Sequence, residues 1–270
     1  MITITEYLLS KKNNKLKAIK VVSNEDELKE LVKYEISTNG KYADLNFIDV
    51  SNITSMKSLF AGTNFCGDVS QWNVRNLVDG YYMFHGCENF NCDLSNWNLS
   101  SLEKGYHMFW NCKKFDCDVS NWNMKNLKSA ECMLQTCREF KGVGIERWKV
   151  QKLEDAELMF GTCVKFNGKV SEWKIKNLED GRGMFLDCEI FNQDLGNWNV
   201  EKLVNGENMF SKCSTFEGKG LEKWNPVKLD NMNNMFGGCK KLCVDIHDWK
   251  LENLNMGYVE ETFDGCYNIA

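Results

Sequence analysis

Apolar residues along this chain recur at a long, near-constant interval. Tryptophan stands at 72, 97, 122, 148, 173, 198, 224 and 249, in steps of 25, 25, 26, 25, 25, 26 and 25 residues. Five residues after each comes a leucine: Leu77, Leu102, Leu127, Leu153, Leu178, Leu203, Leu229 and Leu254. A Met-Phe pair follows at 83–84, 108–109, 159–160, 184–185, 209–210 and 235–236, with Met133–Leu134 as its one variation. Cysteine holds 87, 112, 137, 163, 188, 213, 239 and 266, and three residues beyond each of the first seven stand Phe90, Phe115, Phe140, Phe166, Phe191, Phe216 and Leu242. Five apolar rows in one register mean repeats that cannot each bury their own apolar groups. Stacking them aligns identical residues into one continuous core.

Within a repeat, FNCDLSNW (90–97) sets Phe90, Leu94 and Trp97 among polar residues, which predicts a brief strand and a turn. The following LEKGYHMFWNC predicts a short helical turn with Met108, Phe109 and Cys112 on one inner face. The expected fold class is therefore an α/β repeat solenoid of eight to nine coils. Both 26-residue steps place the extra residue in Gly-containing segments, KGVGIERW and EGKGLEKW, where a bulge absorbs an insertion. Residues 1–45 read as an N-terminal capping segment. Ser23 and Asn24 precede an acidic first turn and an amphipathic run with Leu28, Leu31, Val32 and Ile36, ending near Gly40, which predicts a helix of about 14 residues. Residues 46–270 read as one continuous repeat domain, whose first coil has Ile48 in the Trp position and Thr63 in the Cys position.

The register changes what the 13 cysteines mean. Eight share one internal position, where an unoxidised thiol packs as a small apolar group. A disulfide ladder is the geometric alternative. Cys87/Cys92, Cys112/Cys117 and Cys132/Cys137 share a C-x4-C spacing, but zinc knuckles use shorter pairs and the chain has only 3 histidines, so no metal is expected. A row of outward acids (Asp68, Asp93, Asp118, Asp194, Asp245) beside Ser70, Ser95, Ser120 and Ser171 reads as a solvated ladder, with a partner-facing acidic surface or calcium as the alternatives. A net charge of −5 argues against a nucleic-acid backbone as partner. The basic segment 11–20 reads as a solvated strand or loop. No dinucleotide or phosphate loop, H-E-x-x-H or nucleophile elbow is present, so neither catalysis nor a cofactor is expected. The N-terminus has no secretory-signal pattern and no apolar run is long enough for a membrane span, so a cytoplasmic location is expected.

The pattern F-N-x-D-L-S-N-W-N-V-x-x-L-x(5)-M-F-x-x-C, in FNQDLGNWNVEKLVNGENMF and FNCDLSNWNLSSLEKGYHMFWNC, resembles the BspA-like leucine-rich-repeat surface-protein family over about residues 46–270. The resemblance implies a leucine-rich-repeat-like solenoid that binds proteins or host surfaces, with no catalytic residues to carry over. The first 20 residues show no secretion-signal pattern of the kind its surface members carry, which counts against the expectation of a surface location. The chain also departs where the family commonly has Met, three residues after the leucine row. Here that row is Gly80, Gly105, Ala130, Ala156, Gly181 and Gly206, with Met only at 56 and 232. Either closer packing or a groove fits such a row.

Partner binding belongs at outward positions that break the repeat. Trp110 is the one tryptophan outside the Trp row, and its equivalents are His85, Gln135, Gly161, Leu186 and Ser211. Tyr106 and His107 share its coil, and Tyr81, Tyr82 and His85 hold the neighbouring coil, so stacking should join all six into one patch on or near the short helices. Aromatic patches of this kind anchor protein interfaces; the structural alternative is that some of them cover the helix edge. The expected function is a non-catalytic scaffold binding another protein. The alternatives are an intracellular inhibitor that blocks a host or defence enzyme, as a phage or mobile element would encode, and a surface adhesin fragment.

Overall fold

A computed structural model describes residues 19–259 and 261–267. Its one α-helix among them, α1 (Glu25–Asn39), begins where the sequence signals it. The Asn24 side chain accepts the Glu27 N–H, the Glu27 carboxylate accepts the Ser23 N–H at 2.8 Å, and the Gly40 N–H closes the far end on the Ile36 carbonyl. Leu28, Leu31 and Val32 face inward and join the single core that runs through all the repeats. Strand β1 (Lys20–Val21) pairs in parallel with β2 (Ile48–Asp49), so the capping segment is hydrogen-bonded to the repeats as well as packed on them. Stacking starts earlier than residue 46: Asp44 already bridges Asp68, and Leu45 N–H donates to the Asp68 carbonyl. Of the basic segment 11–20, residues 11–18 lie outside the described residues; Lys20 is buried and pairs with Glu27 at 3.0 Å. No helix among the described residues is long and apolar enough to cross a membrane.

Successive repeats lie parallel, joined by one rung per coil: Ser55, Asp79, Lys104, Ser129, Asp155, Asp180, Asn205 and Asn231 bridge in that order. These rungs fall two residues after the leucine row. They do not fall in FNCDLSNW, where a strand was expected and where the chain instead makes an open stretch and a turn. The expected helical turn before each Cys is absent too, and the backbone shows why. The residue five after each of the first seven row leucines is left-handed (Tyr82, His107, Cys132, Leu158, Gly183, Asn208, Asn234), with φ between 50° and 57°. Four residues later a second left-handed row follows: Gly86, Asn111, Thr136, Thr162, Asp187, Lys212 and Gly238. An α-helix of L-residues cannot hold two such residues within one turn. The reward is between coils. Tyr82, Phe84 and Gly86 donate their N–H groups to Tyr106, Met108 and Trp110 carbonyls of the next coil at 2.8–3.0 Å, while Met83, His85 and Cys87 close turns on Gly80, Tyr82 and Phe84. Alternate N–H groups thus stitch the stack and tighten the coil.

The core is built from the predicted rows, and each row does more than fill space. Phe84 stacks on Phe60 and Phe109 with ring centroids 4.9 and 5.2 Å away. Every row tryptophan donates its indole N–H to a carbonyl of the preceding coil, as Trp97 does to Val69 at 3.1 Å and Trp173 to Ile145 at 2.9 Å. All the cysteines are free thiols. The eight row cysteines donate S–H to the preceding coil in the same way, from Cys87 to Phe60 at 3.2 Å through Cys266 to Phe236 at 3.1 Å. Burial pushes these thiols up, Cys87 to about 11 and Cys239 to about 12. The Gly/Ala row serves close packing, since a Cβ on Gly80 or Gly105 would fall 2.9 Å from the sulfur of Met108 or Met133 in the next coil. Both insertions form matching loops, in which left-handed Gly142 and Gly144, or Gly218 and Gly220, lead into a single 3-10 turn, Ile145–Arg147 or Leu221–Lys223.

Candidate functional site

All six residues singled out by their departure from the repeat meet on one face. They sit on the left-handed turns of two adjacent coils, because no helix forms there. Tyr82 is central: its ring lies 4.4 Å from Tyr81, 5.0 Å from His85, 4.5 Å from His107 and 6.1 Å from Trp110. Trp110 closes the group against His85 at 4.7 Å and His107 at 5.0 Å, and Tyr106 reaches Tyr81 at 6.3 Å. Tyr81 is 42% exposed and the other five are half-buried, so the cluster has a packed base and an accessible rim. Burial lowers the His85 and His107 imidazoles below the ordinary histidine value, the latter also through His85 beside it. Both rings are therefore neutral near pH 7 and behave as part of an aromatic surface.

Beside the cluster lies an open hollow of about 430 Å³, lined by Tyr81, Tyr82, Tyr106 and His107 together with Lys57, Asp79, Lys104 and Glu131. Lys57 and Asp79 pair across it at 3.1 Å. Beyond it the next coils turn acidic: Glu131 is followed by Asp155, Glu157 and Asp180, with Arg182 paired to Glu157. Burial raises the Glu131 carboxyl first, and the neighbouring carboxylates add to it. His107, Glu131 and Cys132 bring one ligand-type atom each within 4.8 Å of one another, the one group of this kind among the described residues. Glu131 was not singled out in the sequence, and Cys132 was named there only as the first member of the Cys132/Cys137 pair, whose spacing argued against a metal. The register could have found them, because they occupy in their coil the positions that Tyr106 and His107 occupy in the preceding one.

Other sequence candidates resolve into backbone structure. Asp68, Asp93, Asp118, Asp194 and Asp245 each accept the N–H two residues on, at 2.8 to 3.0 Å for the Ser120 to Gly196 pairs, and so hold the turn that leads to the Trp position. The second members of two C-x4-C pairs point elsewhere: Cys117 donates to the Asp118 carbonyl at 3.2 Å and Cys92 approaches Asp68 at 3.5 Å.

Comparison with known proteins gives one family. Residues 27–143, 133–249 and 207–269 each match the family described as "Mycoplasma protein of unknown function, DUF285". No curated protein and no solved structure matches the chain. Three overlapping matches reach from α1 to the last coil, in keeping with a repeat protein, and the chain belongs to the DUF285 family.

Proposed function

We propose that this chain is a non-catalytic, leucine-rich-repeat-like solenoid that binds another protein through Tyr81, Tyr82, His85, Tyr106, His107 and Trp110. One observation carries the reading: two adjacent coils replace ordinary outward residues with rings that meet largely edge-to-face around Tyr82 and leave an accessible rim. Large, stiff aromatic side chains give contact area at low entropic cost, which is why they dominate interface energetics. The resemblance to BspA-like surface proteins supports a binding role for the stack. The thiol row supports residence in a reducing compartment such as the cytoplasm, since its S–H groups act as donors and oxidation would remove them.

The test is quantitative capture from a lysate of the source organism, comparing the chain with a Tyr106→Ala/Trp110→Ala variant. A partner retained by the first and lost by the second supports the reading. A partner held equally by both, or none held by either, removes the patch as the binding site.

A further inference from the structure

We propose that His107, Glu131 and Cys132 form a binding site for a divalent ion of the zinc type at the edge of the aromatic hollow. The stack creates the juxtaposition. His107 and Cys132 hold the same position in successive coils, both left-handed (φ 55° and 51°), so their side chains leave the backbone on one face a rung apart. The backbone locks that spacing, with His107 N–H on the Glu131 carbonyl at 2.9 Å and Cys132 N–H on the Glu157 carbonyl at 2.7 Å. His107 Nε2 lies 3.9 Å from Glu131 Oε1, and the three ligand-type atoms fall within 4.8 Å of each other, a separation that small side-chain rotations close to coordination geometry.

Three further observations point to a ligand there. The Nδ1 of His107 is buried without a hydrogen-bond partner, although its side chain is only 13% exposed. A buried polar atom left unpaired costs free energy, which a ring turned to bring Nδ1 onto a bound ion removes. Cys132 is buried yet stands outside the thiol row, and its sulfur donates to no carbonyl among the described residues. Glu131 lies among Asp155, Glu157 and Asp180, and Arg182, the cation that acts on it, is itself paired with Glu157, so a further positive charge at this point is favourable.

The donor set selects the ion. One imidazole nitrogen, one carboxylate oxygen and one thiolate suit zinc and disfavour magnesium or calcium, which take oxygen ligands. On binding, the Cys132 S–H bond breaks, its proton leaves to solvent and a sulfur–metal bond forms. His107 coordinates as the neutral ring, Glu131 as the carboxylate, and the two negative ligands balance the ion's charge. His107 and Glu131 both line the hollow, so the fourth position opens into it and takes water or a donor from a bound molecule. The site does not depend on the protein-binding reading.

The test titrates the full, phosphine-reduced chain with Co²⁺, which reports thiolate ligation by a sulfur-to-cobalt charge-transfer band. One equivalent should develop the band and Zn²⁺ should abolish it. Cys132→Ser should lose it, His107→Gln and Glu131→Gln should weaken binding about tenfold or more, and Cys243→Ser, at an exposed thiol, should leave it unchanged. If Cys132→Ser fails to fold by circular dichroism, the His107 and Glu131 variants decide. No band at micromolar protein, or a band undiminished in the variants that fold, overturns the site.

Discussion

The thiol of Cys112 donates to the carbonyl oxygen of Phe84, one coil earlier, at 3.2 Å, and the same oxygen accepts the Cys87 N–H at 2.9 Å. One carbonyl thus closes a turn and ties two coils together. The pairing recurs along the stack, for example from Cys137 to Phe109 and from Cys213 to Phe185. Thr63, in the same position of the first coil, keeps a donor there: its hydroxyl reaches the Phe60 carbonyl at 2.7 Å. What the position conserves from coil to coil is a small side chain with a hydrogen to give.

That row ties stability to alkaline pH. The folded thiols hold their protons more tightly than a free cysteine at 9.0, with Cys87 pushed to about 11 and Cys239 to about 12. A group whose pKa rises on folding contributes in full below its unfolded value. That contribution falls away as pH climbs through the folded one. Between pH 9 and its folded value, each such thiol should remove about 1.4 kcal/mol per pH unit. Urea midpoints at pH 8 and pH 10 under reductant should differ strongly, and Cys112→Ala should shrink the difference. A flat profile would show that folding does not raise the proton affinity of these thiols.

The insertion loops should be intolerant of a methyl group. At Gly144 (φ 86°) and Gly220 (φ 91°) a Cβ would run into the backbone of Ser120 and of Gly196, one coil back. At Gly86 (φ 73°) it would meet nothing. Gly86→Ala should cost about 1 kcal/mol, from left-handed backbone alone. Gly144→Ala and Gly220→Ala should cost about 3 kcal/mol, from backbone and overlap together. Denaturant unfolding of the three variants gives the comparison, and equal losses would refute it.

Two tryptophans should answer the same substitution differently. Trp97→Phe removes an indole N–H from the Val69 carbonyl and leaves a gap in a fully buried site, for about 2–4 kcal/mol. Trp110→Phe leaves a ring beside His85 at a half-buried position and should cost less than about 1 kcal/mol. Thermal unfolding of both checks the order.

The histidines should titrate apart. His85 and His107 are lowered from 6.5 by burial, while hydrogen bonding to Asp245, with Asp248 nearby, raises exposed His247. Proton NMR of the imidazole C–H signals should show two midpoints below 6.5 and one above. A common midpoint would mean that the aromatic cluster is solvated.

Much of this was legible in the residues. The Asn24 cap and Gly40 stop bounded α1, and the register brought six residues from two coils together as the aromatic cluster. The Asp row was legible only as polar, since its acceptor role in the turns depends on the local backbone. Glu131 was missed because it is not aromatic, and Cys132 was weighed only against Cys137 in its own coil, whereas its neighbours His107 and Glu131 are set by the stacking register.

Sequence by itself determined the stacking register, because repeats with identical apolar positions bury them only by aligning them. Tertiary structure decided the conformation within each coil. Leu158 and Cys132 have no local preference for left-handed backbone, and their segments carry a helical spacing of apolar residues. They adopt it because alternate N–H groups then reach carbonyls of the neighbouring coil, a bond that no single repeat can make alone.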